Sequence, residues 1–268
     1  MKVLIPTSRR EFDPSETALP WKALVDAGHR VVFATPDGKP GEADQRTLTG
    51  KDLGLFSGML KADKEAQGLY ALMARSDEFQ NPIAYDAIDE AAFDAVYFPG
   101  GHAPGMKECL ESPILQKLAA NFLAQGKPVA AICHGVLIPA RAIDPETGKS
   151  ALHGRKTTGL TSAMESLSWW LTRLWVGEHY RTYACTVQRE TAPVLASPDD
   201  FKTGPLPLVR DSAAHPERGF AVRDGNYLTA RWPGDLHRFC NEFTAMLGEA
   251  TQSATDSAAD ATTRREAV

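Results

Sequence analysis

Cys133 has the sequence setting that best suits a nucleophile. It directly follows the apolar run of residues 129–132 and precedes His134, Gly135 and a second apolar stretch at residues 136–142. A short apolar run is typical of a strand buried on both faces of a parallel sheet, and a strand that turns at once into a helix holds the turning residue above the sheet edge. The turn amides and the helix N-terminus lower the pKa of a thiol there and favour the thiolate. Most cysteines are buried and inert, however, so this stretch alone leaves both roles open.

A pair of glycines follows a second apolar run, at residues 93–98. After Pro99 the chain continues with Gly100, Gly101 and His102. Paired glycines at the carboxyl end of a parallel strand let backbone N–H groups approach a ligand or a developing oxyanion. In doubly wound sheets, ligands bind at the carboxyl ends of the strands. One such end with a thiol and another with bare amides predict a nucleophile that faces an oxyanion and substrate-binding loop.

These two stretches resemble the ThiJ/PfpI superfamily, the class I glutamine-amidotransferase-like proteins. The resemblance rests on Tyr-Phe-Pro-Gly-Gly-His at residues 97–102 and on Ala-Ala-Ile-Cys-His-Gly at residues 130–135. With the order of the elements, it extends over residues 1–248, which are expected to form a single domain. It implies a doubly wound, mostly parallel, flavodoxin-like sheet sandwiched by helices. The alternation of strands and helices through residue 142 also favours an α/β fold with a parallel sheet.

Two glutamates are candidates for proton transfer or for orienting the histidine. Glu16 begins a predicted helix, with Ser15 as its N-cap, and therefore suits the helix dipole, but it also lies at the carboxyl edge of the sheet. Glu165 lies in the first turn of a helix predicted at residues 162–176, where a dipole complement or a solvated charge is the simpler interpretation. The resemblance implies more. In the family, a glutamate at the head of the first helix, before a Thr-x-x-Pro-like segment, reaches the cysteine. In the glyoxalase III and chaperone branch, an acidic residue at about the interval seen here completes a Cys-His-acid triad through His134.

Other elements must position or cover this site. Residues 37–85 are interpreted as an insertion on the sheet that covers the site, and the resemblance to the larger branch of the family supports this. The helix at residues 162–176 carries an apolar stripe that is typical of a core-facing helix; the stripe consists of Leu167, Trp170, Leu171 and Leu174. Short strands are also predicted at residues 156–160, 181–189 and 226–230. The small, polar residues 249–268 predict a disordered tail.

Composition and charge exclude several classes of partner. The chain has 268 residues, 43% of them hydrophobic, which is ample for a sizeable core. Its net charge of −5 argues against nucleic acid or an anionic membrane as a partner. No apolar run has the length of a membrane span or of a signal peptide's hydrophobic region. The four cysteines show no CxxC and no close spacing, which fits a reducing compartment and a cytoplasmic protein. Cys133 is expected to be the most reactive of them.

No cofactor or metal site is expected. The sequence contains no P-loop and no dinucleotide fingerprint. His102, His134 and His153 are scattered, and a histidine beside a thiol is better suited to proton transfer than to ligation. A small carbonyl compound is the expected partner, and a homodimer is expected because dimers are common in the family.

Four functions remain open. The first is a glyoxalase III-like lyase or a related deglycase, in which Cys133 attacks an α-oxoaldehyde while Glu16 and His134 move the proton through an enediol to a 2-hydroxy acid. The second is a cysteine hydrolase that acts on small amides or peptides. The third is a holding chaperone or redox sensor. The fourth is a glutaminase subunit, which is disfavoured because no synthetase domain accompanies it.

Two departures from the family pattern leave the substrate open. Residues 103–104 are Ala-Pro where relatives with glyoxalase activity tend to have Gly-Thr. Residues 232–233 are Trp-Pro where those relatives tend to have Asn-Pro. Both differences are expected near the pocket, and covering segments on both sides of the site favour a small aldehyde over a peptide.

Overall fold

Strands from the whole length of the chain form the centre of the protein. The computed structural model describes residues 1–266 and, within them, all side chains except those of residues 56, 59, 254 and 256–266. Its strands are β1 (Lys2–Pro6), β2 (Arg10–Phe12), β3 (Arg30–Thr35), β4 (Glu42–Ala43), β5 (Ile83–Ala84), β6 (Ala95–Phe98), β7 (Val129–Ile132), β8 (Ala221–Asp224) and β9 (Tyr227–Ala230).

Seven strands form one sheet in the order β5-β3-β1-β6-β7-β9-β8, while β2 and β4 pair separately. The strands β5, β3, β1, β6, β7 and β9 run parallel to their neighbours in this order. Strand β8 pairs with β9 in the antiparallel direction at the edge of the sheet. Strand β7 is central, with Ala131 opposite Phe98 on β6 and opposite Thr229 on β9. Because β6 and β7 are parallel neighbours, the residues that follow them meet at one sheet edge. The predicted α/β architecture is confirmed.

Helices cover both faces of this sheet. They are α1 (Pro14–Asp26), α2 (Gln45–Thr49), α3 (Ser57–Leu60), α4 (Lys64–Met73), α5 (Asp77–Gln80), α6 (Lys107–Leu110), α7 (Pro113–Ala124), α8 (Leu137–Arg141), α9 (Ser162–Val176), α10 (Val187–Thr191) and α11 (Leu236–Glu266). Helix α1 packs against α4 and α11, whereas α7 packs against α8 and against β6 and β7. Burial of the apolar sides of these helices and of the wholly buried strands β6, β7 and β9 supplies the main stabilisation.

Several local predictions are wrong. The N-cap of α1 is Asp13, not Ser15, since the Asp13 carboxylate accepts hydrogen bonds from the amides of Ser15 and Glu16 at 2.8 and 3.0 Å. Pro14 then occupies the first helical position, which its fixed φ favours. Residues 156–160 form no strand and contribute only an isolated bridge.

The segment at residues 181–189 is also not a strand. Two of its residues, Thr182 and Thr186, make separate local contacts instead of strand pairs. Thr182 is buried because its hydroxyl donates to the carbonyl oxygen of His102 at 2.5 Å. Thr186 instead caps α10, accepting from the amide of Arg189 at 3.4 Å.

Helix α9 has the predicted bounds, but its apolar stripe does not face the core. The side chains of Leu167, Trp170 and Leu174 are 57%, 60% and 82% exposed. The buried residues of this helix are Glu165 and Thr172. Met164, Leu167 and Leu171 of this helix line a cavity, so part of the apolar stripe faces that cavity rather than a hydrophobic core.

The last helix extends further than composition predicts. Instead of a disordered tail from residue 249, α11 continues to Glu266, and residues 267 and 268 lie outside the described part. Its first half is anchored by buried side chains such as Phe239 and Phe243, so the helix is already nucleated where the small residues begin. Within residues 1–266, none of the helices combines the length and the hydrophobicity that crossing a membrane requires.

Candidate active site

Cys133 lies on a sharp turn between β7 and α8. Its φ of 55° places it in the left-handed region, which is unusual for a residue other than glycine and stores strain at the turn. A 3-10 turn follows and leads into α8. The turn packs tightly against the end of β6, because a Cβ at Gly135 would lie 2.3 Å from the carbonyl oxygen of Phe98. The sequence therefore places Cys133 at an elbow, as predicted, and the structure buries the residue completely.

Glu16 lies against this cysteine from the first turn of α1. It is fully buried, and its Oε2 accepts a 3.0 Å hydrogen bond from the amide of Gly100. A Cβ at Gly100 would lie 2.7 Å from that oxygen and 2.9 Å from the Cβ of Cys133, so only glycine fits between them. The amide of Gly100 is thus occupied by Glu16. The prediction that it donates to an oxyanion is wrong for this structure.

Burial dominates the protonation of both groups. It raises the pKa of Glu16 well above its usual value, and the nearby charge of Asp13 adds to the rise, while the Cys133 thiol and the Gly100 amide oppose it. Burial likewise raises the pKa of Cys133 well above that of a free thiol, and Glu16 and Asp13 contribute in the same direction. Sequence reasoning predicted a lowered pKa for this thiol. That prediction is wrong, because the turn amides do not offset the loss of water and the two carboxyl groups.

His134 connects Cys133 to Glu165. Its Nδ1 lies 3.6 Å from the Cys133 Sγ, and its Nε2 lies 3.6 Å from an oxygen of Glu165. The other Glu165 oxygen accepts from the amide of Val187 at 3.0 Å, which fixes the carboxylate. Burial raises the pKa of Glu165, but the contact with His134 and the hydrogen bond from the Val187 amide lower it by more. The net pKa of Glu165 is therefore below its usual value. An ionised Glu165 facing Nε2 favours the tautomer whose proton is on Nε2 and whose lone pair points to the thiol.

His102 completes the group of side chains at the elbow. Its ring centre lies 5.2 Å from that of His134 and 5.6 Å from that of Tyr180. Its Nε2 is buried and has no hydrogen-bond partner within the part of the chain that the structure describes. Burial, together with the charge of His134, lowers the pKa of His102 to about 4. His102 and His134 are therefore adjacent rather than scattered, whereas His153 is on the surface and contacts Lys149.

A cavity of about 340 Å³ opens beside His102. Its walls come from the segment 37–85, from α9, from residues 207–210 and from residues 232–233, and Asp13, His102 and Tyr180 also line it. Cys133 has no exposed surface and is not among the residues that line this cavity. A larger open groove of about 710 Å³ is lined by Lys2, His29 and Arg30, and none of the residues discussed at the elbow lines it.

Sequence reasoning missed two groups of this site. Asp13 caps α1, lines the cavity and has a pKa raised to about 6, chiefly by burial. Its position before Pro14, at the start of the first helix, could have identified it. Arg210 lines the same cavity, with its guanidinium 5.2 Å from the Trp232 ring. Nothing in the irregular Pro-rich connection around Arg210 predicts this placement.

The family model described as ThiJ/PfpI family-like matches residues 8–205. This chain belongs to that family. Among ThiJ/PfpI relatives, a deglycase of Pyrococcus horikoshii is 30% identical over 247 residues, covering 92% of this chain and 99% of that protein. An uncharacterized protein of Schizosaccharomyces pombe is 32% identical over 125 residues, so the match spans 46% of this chain and only 45% of that protein. Glyoxalase III of Candida albicans has the same fold, with a TM-score of 0.62, 21% identity and coverage of 92% and 97% of the two chains.

Proposed function

We propose that this protein is a cofactor-independent, cysteine-dependent enzyme that acts on α-oxoaldehydes, either converting them to 2-hydroxy acids or removing them from adducts. The observation that carries this proposal is the buried Glu16 carboxyl group against Cys133, with His134 Nδ1 3.6 Å from the thiol. A thiol between an acid and an imidazole has what is needed to add to a carbonyl group and to move a proton between its carbon atoms.

The reaction begins with addition of the thiol to the aldehyde. The Cys133 Sγ forms a bond to the aldehyde carbon while its proton passes through His134 to the carbonyl oxygen, which gives a hemithioacetal. His134 then removes the hydrogen on that carbon while the Glu16 carboxyl group, whose raised pKa favours its protonated form, gives its proton to the adjacent carbonyl oxygen, and an enediol forms. Protonation of the adjacent carbon produces a thioester, and water hydrolyses it to the 2-hydroxy acid and the free thiol.

The oxygen that becomes negative in these steps needs hydrogen-bond donors. The Gly100 amide is engaged by Glu16, and the next amides near the thiol are that of Gly101 in the glycine loop and that of His134 at the elbow. The amide of His134 also lowers the pKa of the Cys133 thiol, in opposition to burial. We assign these two amides to the oxyanion.

The relatives support a carbonyl substrate. The Pyrococcus horikoshii relative is named a deglycase, and the Candida albicans neighbour is named a glyoxalase III. A cavity of about 340 Å³ with a buried nucleophile also fits a small aldehyde better than the extended chain that a peptidase binds.

One structural feature favours a second function, a holding chaperone. Helix α9 exposes Trp170 and Leu174, which do not line the cavity, and large exposed apolar side chains on one helix face are typical of surfaces that bind other proteins. Replacing Trp170 and Leu174 with serine should abolish suppression of the aggregation of a heated client protein, while aldehyde turnover should continue because neither residue lines the cavity.

Purified protein with methylglyoxal, without glutathione and with chiral detection of lactate, tests the main proposal. We expect lactate formation that is lost in Cys133→Ser and retained in Cys185→Ser, since Cys185 is exposed and lies outside the elbow. Peptidase activity that depends on Cys133, with no 2-hydroxy acid from methylglyoxal or glyoxal, would contradict the proposal and favour the hydrolase.

A further inference from the structure

Three side chains at the elbow form a donor set that proton transfer alone does not require. The Sγ of Cys133 and one ring nitrogen each of His134 and His102 lie within 4.8 Å of one another. Thiolate and neutral imidazole are the ligands that thiophilic divalent cations, Zn²⁺ above all, prefer in proteins.

The spacing of two of these donors already matches a tetrahedral ion. Zn–S and Zn–N bonds of roughly 2.3 and 2.05 Å at a tetrahedral angle place the sulfur and nitrogen about 3.6 Å apart. The Cys133 Sγ and His134 Nδ1 are 3.6 Å apart. His102 would complete the set by an approach of roughly 1 Å, from separations of at most 4.8 Å to the spacing of ligands on zinc.

The surroundings of both histidines also suit ligation. Glu165 lies 3.6 Å from the His134 Nε2, on the side of the ring away from the thiol, and a small approach would give the hydrogen bond by which a carboxylate orients a metal-binding histidine. The His102 Nε2 is buried and has no hydrogen-bond partner among the residues that the structure describes, although a buried imidazole nitrogen normally has one.

We propose that Cys133, His134 and His102 bind Zn²⁺ or a similar thiophilic divalent cation, and that this ion blocks the nucleophile. On binding, the S–H bond of Cys133 breaks, a metal–sulfur bond forms and the proton is released to solvent, while both histidines ligate as neutral rings. Nothing is oxidised or reduced. The site is thus inhibitory, and the catalytic cycle proposed above needs no metal.

Titration of the reduced, chelator-treated full chain with Co²⁺, without substrate, tests the binding directly. We expect one equivalent to bind with a thiolate-to-cobalt charge-transfer band, which disappears in Cys133→Ser. His102→Ala should weaken binding by about tenfold or more, and Glu165→Gln by about 10- to 100-fold, since outer-shell partners typically contribute that much. His153→Ala is the matched control, because this histidine is on the surface, and its affinity should equal that of the wild type.

Several results would overturn the proposal: no thiolate band in the wild type, an unchanged band in Cys133→Ser, or equal affinities for His102→Ala and the wild type. His102→Asn, which keeps a polar side chain, replaces His102→Ala if the alanine variant does not fold. If turnover is present, Zn²⁺ should inhibit it and EDTA should restore it. Because Co²⁺ binding is measured without substrate, this proposal and the enzymatic one can fail separately.

Discussion

Gly100 donates its backbone amide to Glu16 Oε2 at 3.0 Å, and this bond holds the carboxyl group against Cys133. Through it, the glycine loop after β6 contributes to the acid of the site rather than to an oxyanion hole. The other oxygen, Oε1, has no hydrogen-bond partner within residues 1–266 and is therefore the atom available to exchange a proton.

Glu16→Gln should impair turnover more than Glu165→Gln. Glu16 lies beside Cys133, and in the proposed mechanism it transfers the proton itself. Loss of such a general acid or base typically lowers the rate by a factor of about 10² to 10⁴. Glu165 acts only through His134, and glutamine can still accept the hydrogen bond from the Val187 amide. Values of kcat/KM for both variants on methylglyoxal decide the matter, and equal small losses would mean that neither glutamate takes part.

Iodoacetamide should label Cys185 before Cys133. This reverses the order expected from sequence, because Cys185 is exposed while Cys133 is buried and has a raised pKa. Cys109, whose pKa burial raises to about 12, should label very slowly. Peptide mapping over time gives the order.

The pH dependence of Cys133 labelling tests its coupling to Glu16. The Glu16 charge raises the pKa of the thiol, so Glu16→Gln should move the rise in labelling to lower pH. The Cys185 peptide in the same digest is the internal control. An unshifted profile for Cys133 would show that the two groups do not interact.

Gly100→Ala should destabilise the protein by about 1 to 3 kcal/mol, as expected for overpacking. Its added Cβ would lie 2.7 Å from Glu16 Oε2 and 2.8 Å from the Ile132 carbonyl oxygen. Gly68→Ala is the matched control, since it lies within α4 with nothing within 4 Å of the new Cβ, and alanine favours the helix by about 1 kcal/mol. Urea midpoints compare the two, and a Gly100→Ala variant as stable as the control would contradict the packing described at the elbow.

Asp13→Asn should make the protein more stable at neutral pH. The folded-state pKa of Asp13 is raised from 3.8 to about 6, so its ionised form is disfavoured by folding. Below pH 4 the group is protonated in both states and carries no penalty. Between about pH 4 and 6 the wild type loses stability from this group, by up to about 3 kcal/mol, and the loss persists above pH 6. Asparagine keeps the N-cap acceptor. Unfolding free energies of both proteins at pH 4 and pH 8 should therefore differ little at the lower pH and clearly at the higher one.

Sequence reasoning located the parts of the site that depend on backbone order. The elbow at Cys133, the loop at Gly100 and the first turn of α1 are adjacent because each follows a parallel strand, and that rule is readable from apolar runs and glycines. Glu165 lies in the first turn of α9, and the bounds of this helix were predicted correctly.

What sequence could not supply are properties set by the surroundings in three dimensions. The raised pKa of Cys133 depends on complete burial beside two carboxyl groups, and neither is adjacent in sequence. The exposure of Leu167 and Trp170 could not be inferred from helical spacing, because an apolar stripe indicates a face but not what covers it. The engagement of the Gly100 amide required the position of Glu16, 84 residues away.

The position of β7 in the sheet also determines when, during synthesis, the strand that leads to Cys133 becomes paired on both edges. This strand lies between β6 and β9, and β9 consists of residues 227–230. A growing chain on the ribosome therefore has an open edge beside β7 until almost the whole protein has been translated. Premature termination before β9 would leave β7, the strand that leads to this thiol, paired only with β6 and with one open apolar edge prone to aggregation.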